Sequence, residues 1–442
     1  MTTDTPGRNP EARKAILAEA DARRSEAIQL LSDLVRFPSV NHPPSGDELA
    51  CQQFVEKTMR AMKLEVDVFT PDEIPNISKH PGWGTGLDYT TPPRPNVVGV
   101  RKGTGKGRSL LLLAHADVVP EGPHELWRHG PFNPVLEGNE LIGRGTNDDK
   151  GGLAALITAL RCIEGAGYRV AGDLILVSAA DEESGGANGT LAVLLRGHVA
   201  DAAVYCDGVN LELHISNLGG AFSRLQLQIR PEVPLNAINR IAEISHEVYQ
   251  DMLAYGRERT AKLRADPRYA NTVWPDMAVR VGYLMAGSPD VSNPGAARMD
   301  TGFYFLPGED PKQIQVEIEK RIRAVTDRHS KWIQTPVFEW IGRLMPPSEV
   351  PRDHPFVTQV AAAYEEAKGT PAVITGMPMS DLFQFNHYSP RPMPTVAMGP
   401  GRWDVAGGAH QPNESILIDG DLIPFIKTLA LLIVDWCGVA KP

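Results

Sequence analysis

Two unbroken apolar runs, SLLLLAHADV and DLILVSA, constrain this chain most. Neither alternates apolar with polar residues, so neither suits a strand with one wet face. Each predicts a strand covered on both sides. Between them, GGLAALITALRCIEGAG has the spacing and closing glycines of a helix, and TLAVLLRG and AAVYCDG follow as helix and strand. Strand, helix, strand, helix, strand predicts an α/β domain with a parallel or mostly parallel sheet. At 442 residues the chain exceeds one ordinary core, so more than one domain is expected.

The texture changes along the chain. Residues 1–25 are polar with scattered alanines and read as a helical or frayed arm. EAIQLLSDLVRF and the stretch from Asp47 to Lys63 have helical spacing. Asp72 to Pro95 is rich in proline and glycine and reads as a long loop, a class that is often functional inside compact domains. After about Leu211, FSRLQLQI alternates and NAINRIAEISHEVYQDMLAYGRERTAKLRA is helical. AVRVGYLMA and TGFYFLP follow as strands, DPKQIQVEIEKRIRAV as a helix and PVFEWIG as a strand. That order predicts an α+β module, ferredoxin-like in pattern. The C-terminal part returns to α/β texture and ends in the helix IPFIKTLALLIVDWCG. The expected organisation is an arm (1–25), a catalytic domain in two parts (26–212 and 331–442) and an inserted domain (213–330).

The net charge of −10 and the lack of any Lys/Arg run argue against a nucleic-acid partner. No apolar run is long enough to span a bilayer, and the opening residues show no signal-peptide core. The four cysteines, Cys51, Cys162, Cys206 and Cys437, form no CxxC pair, which suits a reducing compartment and excludes a thiolate zinc site. A cytoplasmic protein without a membrane partner is expected.

Polar residues gather where the expected parallel strands end, the edge at which open α/β sheets bind ligands. LLLLAHAD brings His115 and Asp117; GRGTNDDKGG brings Asp148 and Asp149 ahead of a helix. DLILVSAADEESGG brings Asp181, Glu182 and Glu183; AVYCDG brings Asp207; GGAHQPNE brings His410 and Glu414. Taken singly, each has an ordinary explanation: a strand-end histidine, a helix cap, a turn acid, a surface histidine. Together they form a mixed nitrogen and oxygen set suited to Zn²⁺, Mn²⁺ or Co²⁺. If one carboxylate bridges, two ions about 3.5 Å apart could polarise a carbonyl and activate a water.

With HAD, GRGTNDDKGG, DEESGG, CDG and AHQPNE in this order, the chain resembles the di-metal aminoacylase family. That family includes carboxypeptidase G-type enzymes, succinyl-diaminopimelate desuccinylase and acetylornithine deacetylase. The resemblance runs from about Glu26 to the last helix. It implies a zinc-peptidase-like catalytic domain with an inserted lid and dimerisation domain, and hence a homodimer or higher homo-oligomer. It implies two divalent ions: His115 and Asp207 on one, Glu183 and His410 on the other, Asp148 bridging. Asp117 would orient a histidine ligand, and Glu182 would be the general base that later protonates the leaving nitrogen. Asp181 would be structural.

The inserted domain departs from the family pattern. The family's lid histidine, which helps bind an oxyanion, has no counterpart between FSRLQLQI and NAI; His214 and His246 match no motif and are expected to be structural. Where the family often carries arginine before a PGED-like turn, this chain has Tyr304. Where it has arginine two residues after an aspartate, Asp381 is followed by Phe383. A bidentate carboxylate clamp is thereby lost and flat apolar surface gained. Tyr304, Asp381 and Phe383 are therefore candidate substrate residues. The expected activity is hydrolysis of a small-molecule C–N bond, most simply an amide or N-acyl bond. The alternatives are hydrolytic deamination of an aromatic amine such as 5-nitroanthranilate, or a catalytically silent binding protein.

Overall fold

A computed structural model of the chain describes residues 9–185, 188–233, 239–272, 278–287, 295–403 and 405–441. It divides into two compact units. The first comprises 1–216, 349–375 and 380–442; the second comprises 217–348 and 376–379.

The first unit is built on a nine-stranded sheet. Four central strands, Thr395–Ala397, Ala203–Tyr205, Leu110–His115 and Leu174–Ala179, run parallel in that spatial order. Asn96–Arg101 and then Glu65–Phe69 add antiparallel strands on one side. Leu110–His115 and Leu174–Ala179 are buried at every position, as strands covered on both faces must be. Helix Lys150–Gly165 is almost wholly buried, and Ile423–Cys437, the C-terminal helix, contributes Phe425, Leu429, Leu432 and Ile433 to the same core. Each fully buried leucine there contributes about 2 kcal/mol by leaving water.

The described part of the expected N-terminal arm is helical. Asn9 caps a helix, Pro10–Ala22, by accepting from the Ala12 amide, and the helix buries Ala12, Ile16 and Ala20 in this core. Its Arg13 is buried and ion-paired with Glu366 and Asp435. Alanine spacing on a polar background is therefore a packing stripe here.

The second unit is a βαββαβ module. Its four antiparallel strands lie in the spatial order Val279–Ala286, Ala296–Phe305, Gly219–Gln228, Val337–Met345. Helices Arg240–Ala265 and Pro311–Thr326 bury Ile244, Val248, Met252, Ile314 and Ile318 against Leu225, Met299 and Phe303. This is the expected ferredoxin-like pattern. The start of the expected helix at 236–238 lies outside the described residues. The unit extends beyond the expected end at 330, to Ser348, because Val337–Met345 pairs with Gly219–Gln228 and cannot be severed from that sheet. Among the described residues no helix is long and apolar enough to cross a membrane.

At the edge of this module the Glu309 carboxylate, largely buried, pairs with Arg259 (2.6 Å) and Lys262 (2.5 Å) and accepts from the Leu306 amide (2.7 Å). Burial opposes its ionisation, but Arg259 and Lys262 prevail and lower its pKa to about 2. A depressed carboxylate stabilises the fold above its unfolded pKa and loses that contribution as pH falls through its folded pKa. Acid unfolding monitored by circular dichroism is predicted to show this loss between about pH 4.5 and 2. Glu309→Gln is predicted to remove it and to lower stability at neutral pH by about 2–3 kcal/mol.

Candidate metal centre

The parallel strands deliver their C-terminal ends to one edge. His115 closes Leu110–His115 and pairs in register with Ala179, the last residue of Leu174–Ala179. Two residues on, Asp181 turns the chain with a φ of +66°, a left-handed conformation that aspartate tolerates better than most residues. Glu182 and Glu183 follow at the mouth of that turn.

A buried carboxylate holds the two segments together. Asp117 Oδ1 accepts from the Glu182 amide (3.1 Å), and Oδ2 accepts from the Glu183 amide (2.9 Å) and from Asn41 Nδ2 (2.7 Å). Burial works against ionisation of Asp117, but His115 and these donors outweigh it and hold its pKa at about 2. His115 Nδ1 faces the Asp117 carbonyl oxygen at 3.0 Å and the Asp117 carboxylate at 3.5 Å. This leaves Nε2 aimed the other way, at Asp148 Oδ1, 3.0 Å distant. That orientation is the one a metal-ligating imidazole needs.

Asp148 is positioned from the opposite side. Glu414, fully buried, accepts through Oε1 from the amides of Gly145 (2.9 Å), Asn147 (3.0 Å) and Asp148 (3.1 Å), and its other oxygen pairs with Arg144. His410, four residues earlier and also left-handed, places Nε2 3.2 Å from Asp148 and 3.0 Å from Glu183. Trp403 stands edge-on to the His410 ring, with centroids 5.4 Å apart.

Ligand atoms of His115, Asp148 and Glu183 lie within 4.8 Å of one another, and His410 contacts two of the three. Burial raises Glu183 to about 7, with the Asp148 charge adding to it, and raises Asp207 to about 6 for the same two reasons. Glu182 is pushed well up by burial and by the neighbouring charges of Asp381, Glu183 and Asp207. Asp148 alone among them is held far below the usual range, because His115 and His410 outweigh its burial. Both histidines are raised well above normal despite their own burial, His410 to about 11. The carboxylates therefore draw positive charge into the space they share. Oxygen and imidazole donors around such a space fit a divalent cation.

The expected site residues divide accordingly. His115, Asp148, Glu183 and His410 are brought together, with Asp148 touching both histidines and Glu183 touching His410, and Asp117 and Glu182 adjoin them through the bonds above. Asp207 lies two residues past the neighbouring strand Ala203–Tyr205, half-buried, and meets the cluster through its charge. Asp381 is buried, accepts from Thr190 Oγ1 and acts on Glu182 through charge. Phe383 does not offer the flat surface expected of it. It is 1% exposed, its ring edge-on to Tyr388 at 6.1 Å, because it sits on the inner face of the short helix Leu382–Tyr388. Tyr304 belongs to the second unit, where it lines a cavity of about 490 Å³ with Phe222, Arg280, Ile341 and Met379.

Sequence reasoning missed the supporting residues. Asp181 is structural, as expected, but its partners come from afar: Tyr89, Ser184, Asn41 and Arg94, the last also bound to Glu48 at 2.6 Å. Tyr89 and Arg94 lie in the Pro/Gly-rich loop at 72–95, which thus braces the Glu182–Glu183 turn from below. An arginine before a proline in a loop gives no sign of this. Glu414 stood in a recognised motif, and only its buried place among three amides reveals what it does.

Comparison with known proteins bears on the family and the fold. The family model described as peptidase family M20/M25/M40 matches residues 111–435. The chain belongs to this family. It is 27% identical to the N-formyl-4-amino-5-aminomethyl-2-methylpyrimidine deformylase of Bacillus subtilis, over 96% of this chain and 97% of that protein. It is 27% identical to the succinyl-diaminopimelate desuccinylase of Alkalilimnicola ehrlichii, over 69% of this chain and 74% of that one. The di-peptidase Dug1p of Saccharomyces cerevisiae has the same fold, with a TM-score of 0.70, 14% identity, and 97% and 99% of the two chains covered. This M20/M25/M40 member is a metal-dependent hydrolase of amide or N-acyl C–N bonds in small molecules.

Asp117→Asn is predicted to turn an amide NH₂ toward the Glu182 or Glu183 amide. Divalent-metal affinity, measured by competition with a chelating dye, should fall about 10–100-fold. Melting should report a loss of about 1–3 kcal/mol.

Proposed function

We propose that the enzyme is a di-metal deacylase that removes a small acyl group, formyl in the first instance, from the amine of a compact, aromatic, carboxylate-free molecule. The observation that carries this reading is the likeness to the Bacillus subtilis deformylase over nearly the whole of both chains. The replacements at Tyr304 and Phe383 support it, since a substrate without a carboxylate needs no arginine clamp. Burial of Phe383 leaves less aromatic lining than the deaminase alternative would use.

His115 and Asp207 would hold one cation, Glu183 and His410 the other, and Asp148 would bridge them, with zinc, manganese or cobalt suited to the donors. Bound there, the cations would polarise the acyl carbonyl and make the attacking water more acidic. Glu182 takes a proton from that water as its oxygen bonds to the carbonyl carbon. As the C–N bond breaks, the same carboxyl delivers the proton to the departing nitrogen. Its raised affinity for protons, from burial and neighbouring charges, suits both halves of that task. Asp117 keeps His115 and the Glu182 backbone in register throughout. Four free, buried cysteines fit a reducing cytoplasm, and the ferredoxin-like unit is the expected dimerisation element.

The test is product mass after incubating metal-loaded enzyme with N-formyl and N-acetyl aminomethyl-heteroaromatics, N-acyl amino acids, dipeptides and aromatic amines. Release of formate with the free amine is predicted. Cleavage of dipeptides alone, or exchange of an amino group for hydroxyl with ammonia released, contradicts the proposal. Glu182→Gln should lower turnover about 10²–10⁴-fold or more while elemental analysis finds unchanged metal. Unchanged turnover would remove Glu182 from the base role.

A further inference from the structure

At the other end of the first unit's sheet lies a cavity of about 710 Å³ that the reaction does not use. Arg101 pairs in register with Leu174, the first residue of the strand whose last residue, Ala179, leads to Glu182. Five residue rises separate the two ends, about 17 Å. The cavity is lined by four cations, Lys63, Arg101, Lys102 and Arg169, against one carboxylate, Glu164, in a chain whose net charge is −10.

Arg101 is fixed in place. Its guanidinium donates to the carbonyls of Met62 and Lys63 and pairs with Glu164 at 2.7 Å, while its buried Nε has no hydrogen-bond partner. Lys102 is held by Asp173 at 3.0 Å. Lys63 and Arg169 are exposed and make no ion pair among the described residues. Three separate segments therefore present cationic donors to one concavity, two of them unneutralised.

We propose that this cavity binds a small molecule carrying two phosphate groups. Donors converging from separate segments suit the several oxygens of a phosphate better than the single plane of a carboxylate. The volume admits more than one such group. The aromatic ring among the lining residues, Tyr168, is 3% exposed, so no face is offered for a nucleobase, and recognition falls on the phosphates.

Titration calorimetry of the full, metal-loaded chain with fructose 1,6-bisphosphate tests this. Saturable one-site binding is expected, weakening as salt is raised. Lys63 has a φ of +60°, so Lys63→Asn/Arg169→Glu, which keeps a residue tolerant of that left-handed conformation, should weaken it about tenfold or more. Metal content and basal turnover should not change. If the double variant melts early, Arg169→Gln alone should still weaken binding several-fold. No saturable binding to the wild-type chain, or equal affinity in the variants, overturns the proposal; equal affinity would move the probe to another site.

Discussion

Four carboxylates and two histidines share one end of a sheet, and like charges at such range repel strongly unless something fixes and offsets them. Asp117 does much of the fixing. Its two oxygens accept from consecutive amides of the Glu182–Glu183 turn while it adjoins the far nitrogen of His115, so a base, a carboxylate and an imidazole share one anchor. Glu414 performs the matching task for the loop that carries Asp148. Each anchor is itself a buried acid with its lone pairs occupied, so it positions its neighbours without competing to become a ligand.

The remaining architecture serves that geometry. Parallel strands buried on both faces leave only their ends free for chemistry, and adjoining ends lie close together by the spacing of the sheet. The N-terminal helix, sewn in by Arg13, helps cover the core from which those strands emerge. The loop at 72–95 reaches beneath the acidic turn with Tyr89 and Arg94, which makes a flexible-looking composition a rigid support.

Much of this was legible in the sequence because it is written in local pattern. Unbroken apolar runs announced the central strands, and the residues just past them announced the cluster of acids and histidines. The βαββαβ order of the inserted unit followed from alternation and helical spacing. What stayed hidden depends on partners distant in the chain. Asn41, Arg94 and Glu414 meet their targets across long sequence separations, and nothing near them in the chain marks those partners. Phe383 failed for a related reason: its motif position suggested the site, but the facing of one short helix decides which way the ring points. The inserted unit's boundary failed because strand pairing, not texture, determines where a sheet ends.

On the proposed reading, these residues would form a two-cation site arranged around Asp148. Anomalous diffraction from crystals of the metal-loaded enzyme would locate those cations. Two peaks flanking Asp148 are expected, one beside His115 and Asp207 and one beside Glu183 and His410. A single peak, or a pair remote from Asp148, would contradict that reading.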